Sequence, residues 1–171
     1  DSLRILVDEC YRNSRAVVLG NLIPRGAAGT LFARMQAAEA TATPVNQAPT
    51  PVPFTACMTG LLAIRRSDFM QLGGFHDPSG GRPNWDDVDF GYRADRAGYR
   101  IIRCPTAVGY HVDGSLTSLQ AACTRWYNAS QSAVALFRAY PELSNHIPMF
   151  HDKKPVSWCT DPPRLIVRKL T

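Results

Sequence analysis

Residues 83–99, PNWDDVDFGYRADRAGY, decide how this chain is read. Three carboxylates, Asp86, Asp87 and Asp89, follow an aromatic residue, Trp85, at the start of a helical pattern that Gly98 closes. Aspartates favour a helix cap and first turn, because they accept hydrogen bonds from unpaired backbone N–H groups and oppose the positive end of the dipole. Capping accounts for one or two of the three. Three acids within four residues repel one another, and a cation, a metal or a substrate hydroxyl must offset that repulsion. Carboxylates perturbed in this way mark functional sites. One turn onward, Arg93 stands four residues from Asp89 and is expected to pair with it, a contribution of about 0.2–0.5 kcal/mol on a helix surface.

The helix expected over 86–97 leads through Gly98 into an expected strand, YRIIRC (99–104), and past Pro105 into a second extended piece, AVGYHV (107–112), which carries His111. Upstream, the segment FTACMTGLLAIRR (54–66) reads as a strand. Ser67 is placed to cap a short helix over 67–72, which Gly73 and Gly74 end as a C-cap. Residues 74–84 are a turn-rich loop. Nearer the start, Leu3, Leu6, Val7, Cys10 and Tyr11 recur at helical spacing over 2–13, and Ala16 to Gly20 form a buried strand. Four prolines in 41–53 predict an extended surface loop. Leu119, Cys123, Trp126, Tyr127, Val134 and Phe137 define one apolar side of a helix over 116–140, broken at Pro141. Beyond Glu142 the pattern fades. The 40 residues before the proline-rich loop are too few for a core of their own, so the chain reads as one α/β domain, a mixed sheet flanked by helices.

Composition narrows the function classes. An apolar share of 45% with 9% aromatic residues in 171 positions suits a globular domain. A formal charge of +5 suits an anionic ligand or surface, but the cations are scattered and no basic run or motif speaks for nucleic acid. Five cysteines, Cys10, Cys57, Cys104, Cys123 and Cys159, are odd in number and include no CxxC pair, which argues against a disulfide framework or structural zinc and for a reducing, cytoplasmic setting. Neither a signal peptide nor an apolar run of about 18 residues is present. The missing initiator methionine and the abrupt basic ending, PPRLIVRKLT, suggest a piece of something longer. That ending is an ordinary solvated tail or one able to lie on an anionic membrane, including the inner face of the cell membrane.

A carboxylate within about 2.6–3.2 Å of a sugar hydroxyl can take its proton as the hydroxyl attacks. Asp87 is the candidate base, Asp86 can hold a second hydroxyl, and Trp85 offers a ring face to a sugar or fills the core. Asp89 serves the helix. His111, as a neutral imidazole, can bind a divalent metal, though a single histidine makes no site by itself. His76, His146 and His151 are expected to face solvent. A DxD triplet at 87–89 lies inside the helix and is read as accidental. A metal-dependent hydrolase would need further clustered ligands, which the sequence lacks.

Taken in order, the small pair Thr59-Gly60, the helix from Arg65 to Phe69, GGF at 73–75, the acid pair with Asp89, the RAxxxGY-like stretch and the strand pair ending at His111 resemble the acceptor-side half of a family 2 glycosyltransferase of GT-A fold. They are also similar to the galactosyltransferase C-terminal segment. The resemblance covers residues 54–111 best and 1–140 more loosely. It leaves 141–171 as an unassigned extension.

The resemblance implies an inverting transfer from a nucleotide-sugar donor to a carbohydrate or lipid-linked acceptor. Asp87 would be the base, with Trp85, Asp86, Thr59 and Gly60 at the acceptor. His111 would help hold Mg²⁺ or Mn²⁺ with the diphosphate. Asp86 stands where the family more often has glutamate. The family's nucleotide-binding strands and DxD loop are expected before residue 1, leaving a Rossmann-like half-fold, inactive alone and with an open sheet edge. The alternative is a non-catalytic carbohydrate-binding or scaffolding module.

Overall fold

Side chains alternate across the strands in the period-2 manner that gives a sheet two faces. Val17, Leu19 and Ile101 enter one buried cluster, whereas Ala16, Val18 and Ile102 enter another. The structure, a computed structural model, describes residues 1–24, 47–76, 84–111, 118–147 and 155–170. Its strands are β1 (Ala16–Pro24), β2 (Thr50–Pro51), β3 (Leu62–Ala63) and β4 (Arg100–His111). They lie in the order β2-β4-β1-β3, with β1 and β4 parallel at the centre and the two short strands antiparallel at the edges. Among the described residues the fold is therefore mixed α/β with an open four-stranded sheet.

Helix α1 (Ser2–Arg12) covers one face, inserting Leu6 and Cys10 against Ala16, Val18, Ile102, Cys104 and Ala107. Asp1 caps it, its side chain accepting from Leu3 N. The buried stripe is narrower than the sequence spacing suggests, since Leu3, Val7 and Tyr11 stay exposed. At the other end, Arg65 donates to the Cys10 and Tyr11 carbonyls, which lack helical partners there.

The opposite face is covered by α3 (Asp86–Arg96) and α4 (Leu119–Ala139), through Phe90, Tyr92, Ala94 and Leu136. Helix α2 (Arg66–Gln71) precedes α3, and α5 (Pro163–Leu170) ends the described chain. Short 3₁₀ turns occupy Phe54–Ala56, Thr59–Leu61 and Pro141–Asn145. Tyr92 donates its hydroxyl hydrogen bond to Glu142, tying the last of these turns to α3.

Several expectations are corrected. The strand expected over 54–66 is mostly 3₁₀ turn, and only Leu62–Ala63 pairs with β1. Pro53 and Gly60 bend this segment too often for a ladder. The two strands expected after Gly98 are one strand, β4. Its register breaks where Leu19 to Asn21 of β1 opposes Arg103 to Val108, and the extra residues include Pro105, which has no N–H to give. Ser67 does not cap α2, which begins at Arg66 behind Arg65 with no side-chain cap.

The apolar side expected of α4 is also corrected. Leu119, Cys123, Trp126, Tyr127 and Val134 are exposed, and Phe137 is partly buried. The helix instead buries the small residues Ala122, Ala129, Ser132 and Ala133 with Leu136. Small residues allow close approach to α3, as the 2.7 Å bond from Trp85 Nε1 to the Ala129 carbonyl records. Beyond Glu142, where the pattern fades, α5 forms. Residues 41–46, 77–83, 112–117 and His151 lie outside the described residues.

Two glycine turns fix α2 and α3. Gly73 and Gly74 have φ of 79° and 70°, and their N–H groups bond to Met70 and Phe69 carbonyls. Gly98, at φ 78°, and Tyr99 repeat the pattern on Asp95 and Ala94. Both are Schellman motifs, in which a left-handed glycine satisfies the last carbonyls. Asp89 then joins the two helices. It is only 1% exposed, and its Oδ2 accepts from Arg93 Nε at 2.8 Å. The same guanidinium donates to the Leu72 and Gly74 carbonyls.

The Asp89–Arg93 pairing expected from the sequence is thus present, but buried, so removing one partner strands a charge in the interior. Arg93→Ala is expected to cost about 3–5 kcal/mol by urea unfolding, an order more than an exposed helix pair. Gly91→Ala should also destabilise. A Cβ there would lie 2.7 Å from both the Phe54 carbonyl oxygen and Cys57 Cβ. Overpacking of about 1–3 kcal/mol therefore outweighs the roughly 1 kcal/mol that alanine gains in helix propensity. A rise in the urea midpoint of Gly91→Ala would contradict that packing.

Candidate functional site

Residues 97–99 join α3 to β4 so tightly that helix and strand must run in opposite directions. The first turn of α3 therefore points toward the end of the sheet where the parallel strands β1 and β4 finish, the usual side for ligands in open α/β sheets. Asp86, Asp87 and Asp89 all fall in that turn. None is the cap. The cap position is Trp85, with left-handed φ of 74°, and Asn84 before it has φ of 110°. Two consecutive non-glycine residues in this region cost energy that a surrounding structure must offset, a feature that concentrates at functional sites.

The three acids separate into different roles. Asp89 is consumed by Arg93. Asp87 is half-buried, and its Oδ1 accepts from Val88 N at 2.8 Å. Burial pushes its carboxyl above the usual aspartate range and the neighbouring Asp86 adds to that. The Val88 N–H and the Arg125 guanidinium act in the opposite sense. A carboxyl raised in this way is suited to exchanging protons with a hydroxyl, provided it is ionised at the working pH. Asp86, beside it, is also half-buried.

Close packing at Gly91 brings the Phe54–Ala56 turn and Cys57 against α3 one turn after Asp87. The Cys57 thiol is pushed up to about 12 by burial and by the charge of Asp87, so it remains a protonated, inert thiol at neutral pH. Thr59 and Gly60 follow on the same segment in an exposed 3₁₀ turn. Gly60 packs on β1, where an added Cβ would lie 2.7 Å from Leu22 Cδ1. Trp85 has a double attachment: its indole N–H is held by Ala129, and its ring meets Phe137 edge-on at 6.4 Å between centroids. It packs against the main core while staying partly accessible. Its main role here is to dock α4 on the acid turn.

His111 is the last residue of β4, paired in register with Pro24 and exposed. Among the described residues, no group of three or more His, Cys, Asp or Glu could hold a metal ion. His111 is therefore a single candidate ligand among the described residues rather than part of a complete site. Of the histidines expected to face solvent, His76 is half exposed with Nδ1 3.9 Å from Asp89, and His146 is exposed but sets its ring edge on Phe54.

Two arginines were not singled out from the sequence. Arg125 projects from α4 one turn before Ala129 and acts electrostatically on Asp87. That influence depends on the Trp85 anchor, which no spacing rule discloses. Arg103, on β4, shares a sheet face with Ile101 and donates to the Ala56 carbonyl at 3.3 Å, while its buried Nε has no hydrogen-bond partner. An arginine in a strand so rich in buried apolar residues was the available signal.

Comparison with protein-family models, curated proteins and solved structures gave no match to this chain.

The raised Asp87 carboxyl has a consequence for stability. A group whose folded value lies above its unfolded one contributes stability at acid pH, and loses it as pH rises through the folded value. Asp87→Asn keeps the acceptor for Val88 N and removes the ionisable proton. It should therefore be more resistant to urea than the native chain at pH 7, with the gap shrinking below the ordinary carboxylate range. An equal or lower midpoint at pH 7 would show that burial does not disfavour the Asp87 charge.

Proposed function

We propose that the chain carries the acceptor side of an inverting glycosyltransferase of GT-A fold, similar to family 2, with Asp87 as general base. The observation that carries this reading is the half-buried Asp87, raised by burial, in a strained helix start at the ligand end of a mixed α/β sheet. Asp86, next to the base in the first helical turn, would hold a second acceptor hydroxyl, and the exposed Thr59-Gly60 turn is assigned to the acceptor on the resemblance. Trp85 supports the acceptor pocket chiefly by fixing its wall.

In this reading, an acceptor hydroxyl gives its proton to the Asp87 carboxylate as its oxygen bonds to the anomeric carbon of a nucleotide-activated sugar. The bond from that carbon to the diphosphate breaks, the nucleoside diphosphate leaves with the electron pair, and the anomeric centre inverts. Arg125 offsets the charge of the acid pair. A divalent metal, Mg²⁺ or Mn²⁺, would neutralise the leaving diphosphate when bound, with His111 as one imidazole ligand.

The test is nucleoside diphosphate release by the full gene product from UDP-, GDP- and dTDP-sugars, with Mn²⁺ present. Asp87→Asn should lower kcat by at least about 10²-fold, the usual scale for losing a general base, while donor binding persists. The native acid limb should lie above the ordinary aspartate range, because only the ionised carboxylate accepts the proton. Equal slow release from both proteins with sugar binding retained would instead favour the carbohydrate-binding module.

A further inference from the structure

We propose that residues 155–170 form a docking element for an anionic lipid bilayer. The element is a small hook with its own internal bonding. Ser157 N and Lys169 Nζ both donate to Asp161 Oδ2, at 2.9 and 2.6 Å, and Lys169 also reaches the Pro155 carbonyl. The Lys169 and Asp161 side chains are 4% and 11% exposed, so the pair is sealed between the turn at 157–160 and helix α5. Leu165 and Ile166 lie partly buried on the inner side.

What the hook presents outward is apolar and basic together. Trp158 at the turn is 71% exposed, and Val167 and Leu170, three residues apart on α5, are 61% and 63% exposed. Arg164 is exposed one turn before Val167 on the same side. A tryptophan prefers the headgroup level, where its ring is buried and its N–H stays wet. Over residues 155–170 the side-chain charges are the cations Arg164, Arg168 and Lys169 against Asp161. Because Asp161 is spent internally on Lys169, the remaining charge is predominantly positive, which complements anionic headgroups.

Apolar side chains beside positive charge are the arrangement by which short amphipathic helices lie in a membrane interface. The contact is peripheral: among the described residues no helix is long and apolar enough to cross a membrane. A protein partner of matching acidity is the competing occupant. The combination of an exposed tryptophan, two aliphatic side chains and cations on one small element favours lipid. The inference is independent of the sugar-transfer reading, since its readout requires no turnover.

The test is co-sedimentation of the intact chain with phosphatidylcholine vesicles, with and without phosphatidylglycerol. The native chain should sediment with the anionic vesicles and not the neutral ones, and raised salt should weaken the binding. The combined variant Trp158→Ser, Val167→Ser, Leu170→Ser should bind about tenfold more weakly, and Arg164→Glu should also lose binding. Met70→Ser, at an exposed apolar residue elsewhere, should bind like the native chain. The vesicle-induced blue shift of tryptophan emission should vanish in Trp158→Phe. Because these side chains are exposed, the unfolding midpoint of each variant checks that the fold is kept. Failure to bind anionic vesicles, equal binding by the triple variant, or self-association through this face without vesicle binding would each overturn the proposal.

Discussion

The buried pair of Asp89 and Arg93 is the constraint through which the rest of this structure is assembled. Arg93 lies on α3 yet spends its other two donors on the Leu72 and Gly74 carbonyls, where α2 ends in a left-handed glycine turn. One guanidinium therefore fixes the helix start, the preceding turn and the spacing between them. With α3 fixed, Phe90, Tyr92 and Ala94 enter the main core, and Gly91 meets the Phe54–Cys57 segment with no room for a side chain. Asp87, one turn before Gly91, is thereby held beside that segment.

This arrangement separates acids that look alike in the sequence. Asp89 is fully buried and neutralised. Asp87 sits at the edge of the core, where burial disfavours its charge but neither the Val88 N–H nor Arg125 fully restores it. Trp85 takes part from the other side, pinning α4 through Ala129 and bringing Arg125 toward the acids. A strained pair, Asn84 and Trp85, delivers the chain into the helix. Local packing thus supports one carboxylate with chemical potential beside another devoted to structure.

Much of this was legible from residues alone, and the rest was not for definite reasons. The helices expected over 2–13 and 86–97 form over 2–12 and 86–96; apolar spacing signals the first, the acids and Gly98 signal the second, and the Asp89–Arg93 pair follows from its four-residue interval. The weight of that pair was not legible, since spacing says nothing of burial. Helix α4 misled because both its sides contain apolar residues: the large ones face solvent and the alanines pack, a choice made by how closely α3 approaches. The 54–66 segment has strand-like composition, but its Pro53 and Gly60 turns prevail over propensity. Asp87 stands out as a candidate from its motif, whereas Arg125 becomes visible only after α4 is placed.

The most direct measurement is carboxyl ¹³C NMR titration of the chain labelled at aspartate, with Asp87→Asn used to assign the resonance. The signal missing from the variant should titrate above the ordinary aspartate range. A resonance for Asp87 titrating at or below that range would mean its charge is not disfavoured by burial, and would contradict its role as a tuned base.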